Sequence, residues 1–324
     1  MLQQLTLIRH TFVIGTAVLA SVMVAPLPAL AQYQGHNFRG DFGVNSGSQP
    51  PPGVFVSVPF GQWGVDSIKD AAGDPFLANR FKGFDLRLVP LTIVGVTPRK
   101  VLGANYGFMV APTFSTVRPE SVGEGEVDSS SWDFNDIYVV PVHLGWHLPR
   151  ADVVAGYGFF APTGRYAAGA DDNVGLGMWS HELQAGTTVY LDAARTFSVA
   201  TTAFLEMHTN KKDQDLKVGN LLTLEGGAAY NVPKIGGAFG VAYYLQNKVS
   251  DDSGADYPDR LLGLLNLRGR NRLFGIGPDI TMGLFQRGST IGALNVRYFW
   301  ESAGRSSFQG STLFVALTLG RLVP

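Results

Sequence analysis

The chain contains no cysteine, which excludes disulfide staples, thiolate nucleophiles and cysteine-held metals, and leaves stability to backbone pairing and packing. It lacks an excess of either charge: 25 basic and 26 acidic side chains leave a formal net charge of −1. That balance points away from nucleic acid and from an anionic surface as partner. After its first two dozen residues it has no uncharged apolar run of 18, so no spanning helix is expected there. A mean hydropathy of +0.10 is likewise too low for a helical membrane bundle. G-x-S-x-G elbows, H-E-x-x-H and phosphate loops are missing too, and no cofactor or metal is expected. What is abundant is glycine (40), proline (18) and aromatic residues (11%), against only 16% charged, the balance of a turn-rich β protein.

The beginning of the chain has the form of an export signal. Arg9 is followed by an apolar stretch from Phe12 to Val24, then Pro26, Pro28 and the small-residue triplet Ala29-Leu30-Ala31. A polar start, an apolar centre too short for a comfortable span and such a triplet predict cleavage after Ala31, hence a signal peptide over residues 1–31. Residues 32–52 are rich in Gly, Ser, Asn and Pro and end in Pro50-Pro51-Pro52, which cannot pair inside a sheet. They read as a leader, either a periplasmic tether or a segment tucked into a lumen.

Residues 53–324 read as strands. Twelve candidates fall at 53–63, 83–98, 103–117, 132–148, 150–163, 176–191, 195–209, 217–232, 235–249, 270–286, 289–301 and 310–322. Successive strand side chains point to opposite sides, so Leu183, Ala185, Val189 and Leu191 share one face while Glu182, Gln184 and Thr188 share the other. Phe197, Val199, Leu205 and Met207 likewise oppose Ser198, Thr202, Glu206 and His208, and Leu294, Val296, Tyr298 and Trp300 oppose Asn295, Arg297 and Glu301. A soluble sandwich would use strands of about 5 to 6 residues, whereas tilted membrane strands need about 9 to 11, and these are long. The fold expected is all-β: a transmembrane antiparallel β-barrel of about twelve strands, closed so that no edge meets hydrocarbon.

Connections alternate in length, tight near Pro98, Leu148, Asp192, Pro233 and Gln286, longer near 64–82, 118–131, 164–175, 210–217, 250–269 and 302–309. Short periplasmic turns and long extracellular loops give that rhythm, with both termini in the periplasm. Trp63, Trp132, Trp179 and Trp300 then fall at outer strand ends and Trp146 at an inner end, as aromatic girdles require.

Several runs resemble a known family: Gly145-Trp146-His147-Leu148-Pro149, the stretch from Val154 to Tyr166 (VAGYGFFAPTGRY), Asn173 to Glu182 (NVGLGMWSHE), Leu221 to Gly227 (LLTLEGG) and Asn271 to Pro278 (NRLFGIGP). They are similar to the outer-membrane family named for the meta-cleavage pathway of phenol degradation. The resemblance implies a porin-like Gram-negative β-barrel linked to aromatic catabolism, a transporter for uptake of aromatic or other small hydrophobic compounds rather than an enzyme. The chain departs from the common barrel ending in an aromatic residue, finishing Gly320-Arg321-Leu322-Val323-Pro324.

The alternation places Glu182, Glu206 and Glu225 on the inner face, with Arg87 and Arg297 expected at a similar level. Together these five are candidates for a lumen constriction that selects solutes by charge, or for ion pairs that merely fill a narrow barrel. His143 and His147 stand about 13 Å apart along a strand, too far to share a metal. Glu206 and His208 share a face and suggest a solvated pair near the rim. Leu261, Leu262, Leu264, Leu265 and Leu267 crowd one expected external loop, where they either fill the barrel mouth or form a capture surface for an apolar ligand. Acidic loops at 118–131 and 250–269 suit divalent cations bridging lipopolysaccharide, and the remaining partners expected are membrane lipid and a small hydrophobic solute. The alternatives are a barrel enzyme acting on lipid through Glu182 and Glu206, and a structural or surface-binding barrel. Ser180 beside His181 makes no dyad, because adjacent strand residues face opposite ways.

Overall fold

A computed structural model of the chain describes residues 34–76, 78, 81, 83–119, 130–170, 172–264, 266–267, 270–286 and 289–322. The expected signal peptide, Leu265 and the acidic residues Glu120, Glu124, Glu126 and Asp128 lie outside them. Twelve antiparallel strands close into a barrel. They are β1 (Gly53–Lys69), β2 (Phe84–Pro90 resumed as Thr92–Val101), β3 (Ala104–Ala111 resumed as Thr113–Pro119), β4 (Asp133–Phe134 resumed as Ile137–His147), β5 (Ala151–Ala161), β6 (Ser180–Tyr190), β7 (Phe197–His208), β8 (Leu221–Val232), β9 (Gly237–Lys248), β10 (Arg272–Gln286), β11 (Ser289–Arg305) and β12 (Ser307–Leu322). Each pairs with its neighbour in sequence, and β12 returns to pair with β1 from Gly53↔Leu322 to Lys69↔Ser307. One short helix, α1 (Asp259–Leu264), caps the mouth.

The outer surface carries a band of exposed apolar residues drawn from one face of successive strands, among them Val54, Val56, Leu183, Val199, Val241, Ile280 and Leu317. In water such a band would be costly, and hydrocarbon is the solvent that suits it. Tight turns join the strands at one end. Leu102 and Gly103 both have positive φ (51° and 80°), the twist that a two-residue hairpin needs. At the next-but-one turn the Asp192 carboxylate accepts the backbone N–H groups of Thr196 and Phe197.

Prolines interrupt the wall on one side. The register between β1 and β2 runs Ser57↔Thr92, then resumes at Gly61↔Leu88, leaving Pro59 opposite Pro90 in the gap. Neither has an N–H to donate, so the ladder skips those rungs. Pro112 breaks β3 beside them, although Leu91 N still donates to Pro112 O at 2.9 Å.

Two expectations about connections are corrected. β1 continues to Lys69 through a bulge between Val65 and Ser67, so the loop expected from Gly64 is partly strand. The loop expected at 302–309 is absent: β11 runs to Arg305 and β12 starts at Ser307, turning on Ser306 at φ 43°. The length rhythm therefore holds until its last external link.

Candidate functional site

The leader runs inside the barrel along the wall made by β5 to β11. Acidic side chains from that wall receive its backbone donors in succession. His36 N and Asn37 N donate to Glu206, Gly40 N and Phe42 N to Glu225, and Val44 N to Asp279. Lower down, Ser48 Oγ donates to Asp152 and Gln49 Nε2 to the His143 carbonyl. Charge-assisted bonds of this kind are the strong ones, and each satisfies a carboxylate that burial would otherwise penalise. Val44 drops into a hollow where Gly227 and Gly240 leave room, and a Cβ on either glycine would lie 2.8 Å from its Cγ1. Gly240→Val would meet the Ala228 carbonyl of the neighbouring strand at 2.5 Å and Val44 just beyond, so it should strain the wall locally as well as lift the segment at Val44, at about 1–3 kcal/mol, the usual cost of overpacking. Increased protease access to residues 34–50 in the folded protein would show it; unchanged protection would contradict it.

At its upper end the segment is held by His36. The ring Nε2 pairs with Asp136 Oδ2 and Nδ1 shares a hydrogen bond with Ser180 Oγ, both at 2.7 Å, while Glu206 Oε1 lies 3.7 Å away and Phe160 stacks beneath. Burial alone would push the imidazole below its ordinary value, but the two carboxylates outweigh it and hold it raised. The serine, histidine and aspartate resemble a nucleophilic relay in spacing. Ser180, however, is fully buried, with no exposed face at which a substrate could meet its hydroxyl. This arrangement works as a clamp.

Opposite the segment the wall is uncharged. Pairing carries one set of inward positions across β1, β2 and β3: Phe55, Trp63, Leu86, Leu88, Val94, Met109 and Val117 all line a cavity of about 730 Å³ between wall and segment. Tyr138 and Phe160 continue that lining on β4 and β5. The lumen is thus divided lengthwise into a charged half filled by the leader and an apolar half left open.

Four of the five constriction candidates, Glu182, Glu206, Glu225 and Arg297, face inward and are buried. Glu182 takes hydrogen bonds from Tyr138 and from Asn37 Nδ2 (2.8 Å), so the three glutamates hold the leader instead of ringing an empty pore. Arg87 does not join them. Its register partner is Gln62, while the flanking Leu86 and Leu88 line the cavity, so Arg87 is on the outer face, paired with Asp85 at 2.9 Å. Trp63 is also corrected: it is 4% exposed, lines the cavity and donates to Glu301 under the Arg39 guanidinium, outside any girdle. Trp132, Trp179 and Trp300 are exposed, and Trp146 is half-buried with its Nε1 bound to the Leu102 carbonyl. Leu262 and Leu267 are buried with Trp63, Ile68, Phe81 and Phe308, so these two pack against the wall at the mouth and are not part of an open capture surface, while the side chains of Leu261 and Leu264 lie outside those described. The Glu206–His208 pair is dry, at 3.0 Å, where a solvated one was expected.

The sequence reading missed Asp136, Ser180 and Asp279 as anchors. Asp279 and Ser180 have the inward phase of their strands, a signal that was available. Asp136 lies in the break within β4 and gives none.

A closed antiparallel barrel with an apolar outer band and a segment folded into its lumen defines a transmembrane β-barrel of the outer-membrane kind. The chain belongs to the family described as "Putative MetA-pathway of phenol degradation", whose profile matches residues 70–317. Among solved structures it is similar in fold to an outer membrane channel from Pseudomonas putida F1, with a TM-score of 0.70 at 13% identity, covering 88% of this chain and 100% of that one. The translocator domain of autotransporter NalP from Neisseria meningitidis is more distant, with a TM-score of 0.47 at 10% identity, covering 97% and 99%. No curated protein matches the chain significantly.

Proposed function

We propose that the barrel is a passive channel for small hydrophobic or aromatic solutes, exported by the signal at 1–31 and facing lipopolysaccharide outside. The observation that carries this reading is the cavity of about 730 Å³ along an uncharged inner wall. A polar solute gains nothing from Phe55, Leu88, Val94 and Met109, whereas an apolar one exchanges water for them at about 25 cal/mol per Å² buried. The three inward glutamates then act on solute indirectly, by setting where the leader lies and how wide the apolar half remains. Enzymatic action on lipid is less well supported, since Glu182 and Glu206 are already engaged by Tyr138, Asn37 and the two histidines.

Swelling or bilayer permeability measurements test it. Vesicles containing the mature chain should pass alkylbenzenes or phenols faster than empty ones, and Leu88→Glu with Met109→Glu should reduce that passage while sugars of similar size stay excluded. Equal passage of sugars and aromatics would overturn the reading.

A further inference from the structure

On the leader side of the cavity, two charged groups stand without hydrogen-bonded partners among the described residues. Asp41 faces the cavity, and no described N–H or O–H donates to its carboxylate. Arg297 is 6% exposed, also faces the cavity, and has its Nε buried without a partner. Its guanidinium lies over the Phe314 ring at 5.3 Å. Burial raises the Asp41 carboxyl above its ordinary value and the Arg297 charge draws it part of the way back, yet no ion-pair contact joins the two. The neighbouring carboxylates are occupied: Asp279 accepts Val44 N and Asn295 Nδ2, and Glu225 accepts Gly40 N and Phe42 N. Asn295, which also lines the cavity, keeps its Oδ1 buried and unpaired.

An acceptor and a donor that no protein group satisfies at the edge of an apolar channel are served either by water or by a ligand that matches both, and such a ligand can replace the water without loss. A hydroxyl does so, since it donates through its proton and accepts through its lone pairs. A carboxylate ligand would meet Asp41, Asp279 and Glu225 around a single guanidinium, and an ammonium would be repelled by that guanidinium. A pure hydrocarbon would leave both groups as they are.

We infer that Asp41 and Arg297 form the polar pole of a lumenal binding site for a neutral, hydroxyl-bearing apolar or aromatic molecule. The hydroxyl donates to Asp41 and accepts from Arg297, directly or through one water, and the body of the molecule lies on the uncharged wall. This rests on the channel reading above and adds the functional group that the channel selects.

The test is equilibrium binding to the purified full chain in detergent, followed by the fluorescence of Trp63, which lines the same cavity. The probes are 4-propylphenol, propylbenzene and 4-propylbenzoate. Trp63→Phe serves as the control that the signal comes from the cavity. The phenol is expected to bind about tenfold more tightly than the hydrocarbon, with the benzoate weakest, as one net hydrogen bond to a charged group implies. Asp41→Asn and Arg297→Gln should each remove most of that preference while leaving propylbenzene within about twofold. Because the hydrocarbon reports an intact cavity in each variant, loss of folding is distinguishable from loss of the pole. Equal binding of phenol and hydrocarbon, or variants that weaken both alike, would overturn the pole and leave the channel standing. Failure of all three probes would overturn the channel reading and the pole with it.

Discussion

Deletion of residues 34–49 is expected to turn a narrow, largely apolar passage into a water-filled pore. The deletion removes the donors that cover Glu206, Glu225, Asp279 and Asp152, and it empties the charged half of the lumen. Water replaces those donors, so the carboxylates ionise freely, and with Glu182 and Glu301 they outnumber the buried cations Lys211, Lys248 and Arg297 among the described residues. Conductance in planar bilayers should rise severalfold and become cation-selective, as acidic rings confer. The wall itself should survive, because its ladders from β1 through β12 use none of the deleted residues. Unchanged conductance with unchanged selectivity would mean that the leader does not obstruct the lumen.

Replacing His36 by Phe should have the next largest effect. The ring can still stack on Phe160, but Asp136 and Glu206 lose the cation between them. Breaking a buried ionic group by removing one partner costs about 3–5 kcal/mol. That is enough to release the upper end of the leader. A pH dependence follows from the same residue. The raised value of His36 means that its contribution to docking is complete below the unfolded value of 6.5 and is lost as pH rises through the folded one. Asp136 behaves in the opposite sense. Burial pushes it up, yet His36 and two backbone N–H groups bring it below 3.8, so its share is lost only as pH falls through that lowered value. The other charges facing this clamp are Glu182 through Asn37, His208 on Glu206, and Lys211, which acts on Asp136 at longer range. Conductance of the wild-type chain should therefore increase on the alkaline side, and His36→Phe should be open throughout with no such step. Lys211, brought down to about 8 by burial, also loses its charge on the alkaline side. A step that persists in His36→Phe would assign it to Lys211.

The strands from β6 to β9 were legible because lipid lies on one face and charge on the other, so period-two alternation separates Leu183 and Val199 from Glu182 and Thr202. The same logic failed in β2. There both faces carry apolar residues, and the assumption that charge points inward placed Arg87 in the lumen. The inner face of β1 to β3 is instead the greasy one, and Arg87, Asp85 and Gln62 satisfy one another outside. Trp63 was misplaced because the strand was read as ending there, whereas β1 runs on to Lys69 and leaves the ring inside the lumen. The leader was harder still. Its grip on Glu206, Glu225 and Asp279 comes from the backbone N–H groups of His36, Gly40, Phe42 and Val44, and a backbone donor leaves no trace in composition. A Gly-rich, Ser-rich stretch reads as a linker whether or not a row of carboxylates waits for it.

The seam between β1 and β12 also dictates an order of assembly. It joins Gly53 to Leu322, contacts of the greatest sequence separation in the wall, and such contacts are slow because the whole intervening chain must be gathered first. The leader is the chain immediately before Gly53. Were the ring to close without it, the free end would have to thread a crowded bore past Trp63 and Tyr138 to reach Asp136. If the leader already lies against Glu206, Glu225 and Asp279 when the last pair forms, no threading is needed. The wall is then wound around the leader, and the row of acidic side chains acts as a template on which the final closure is made.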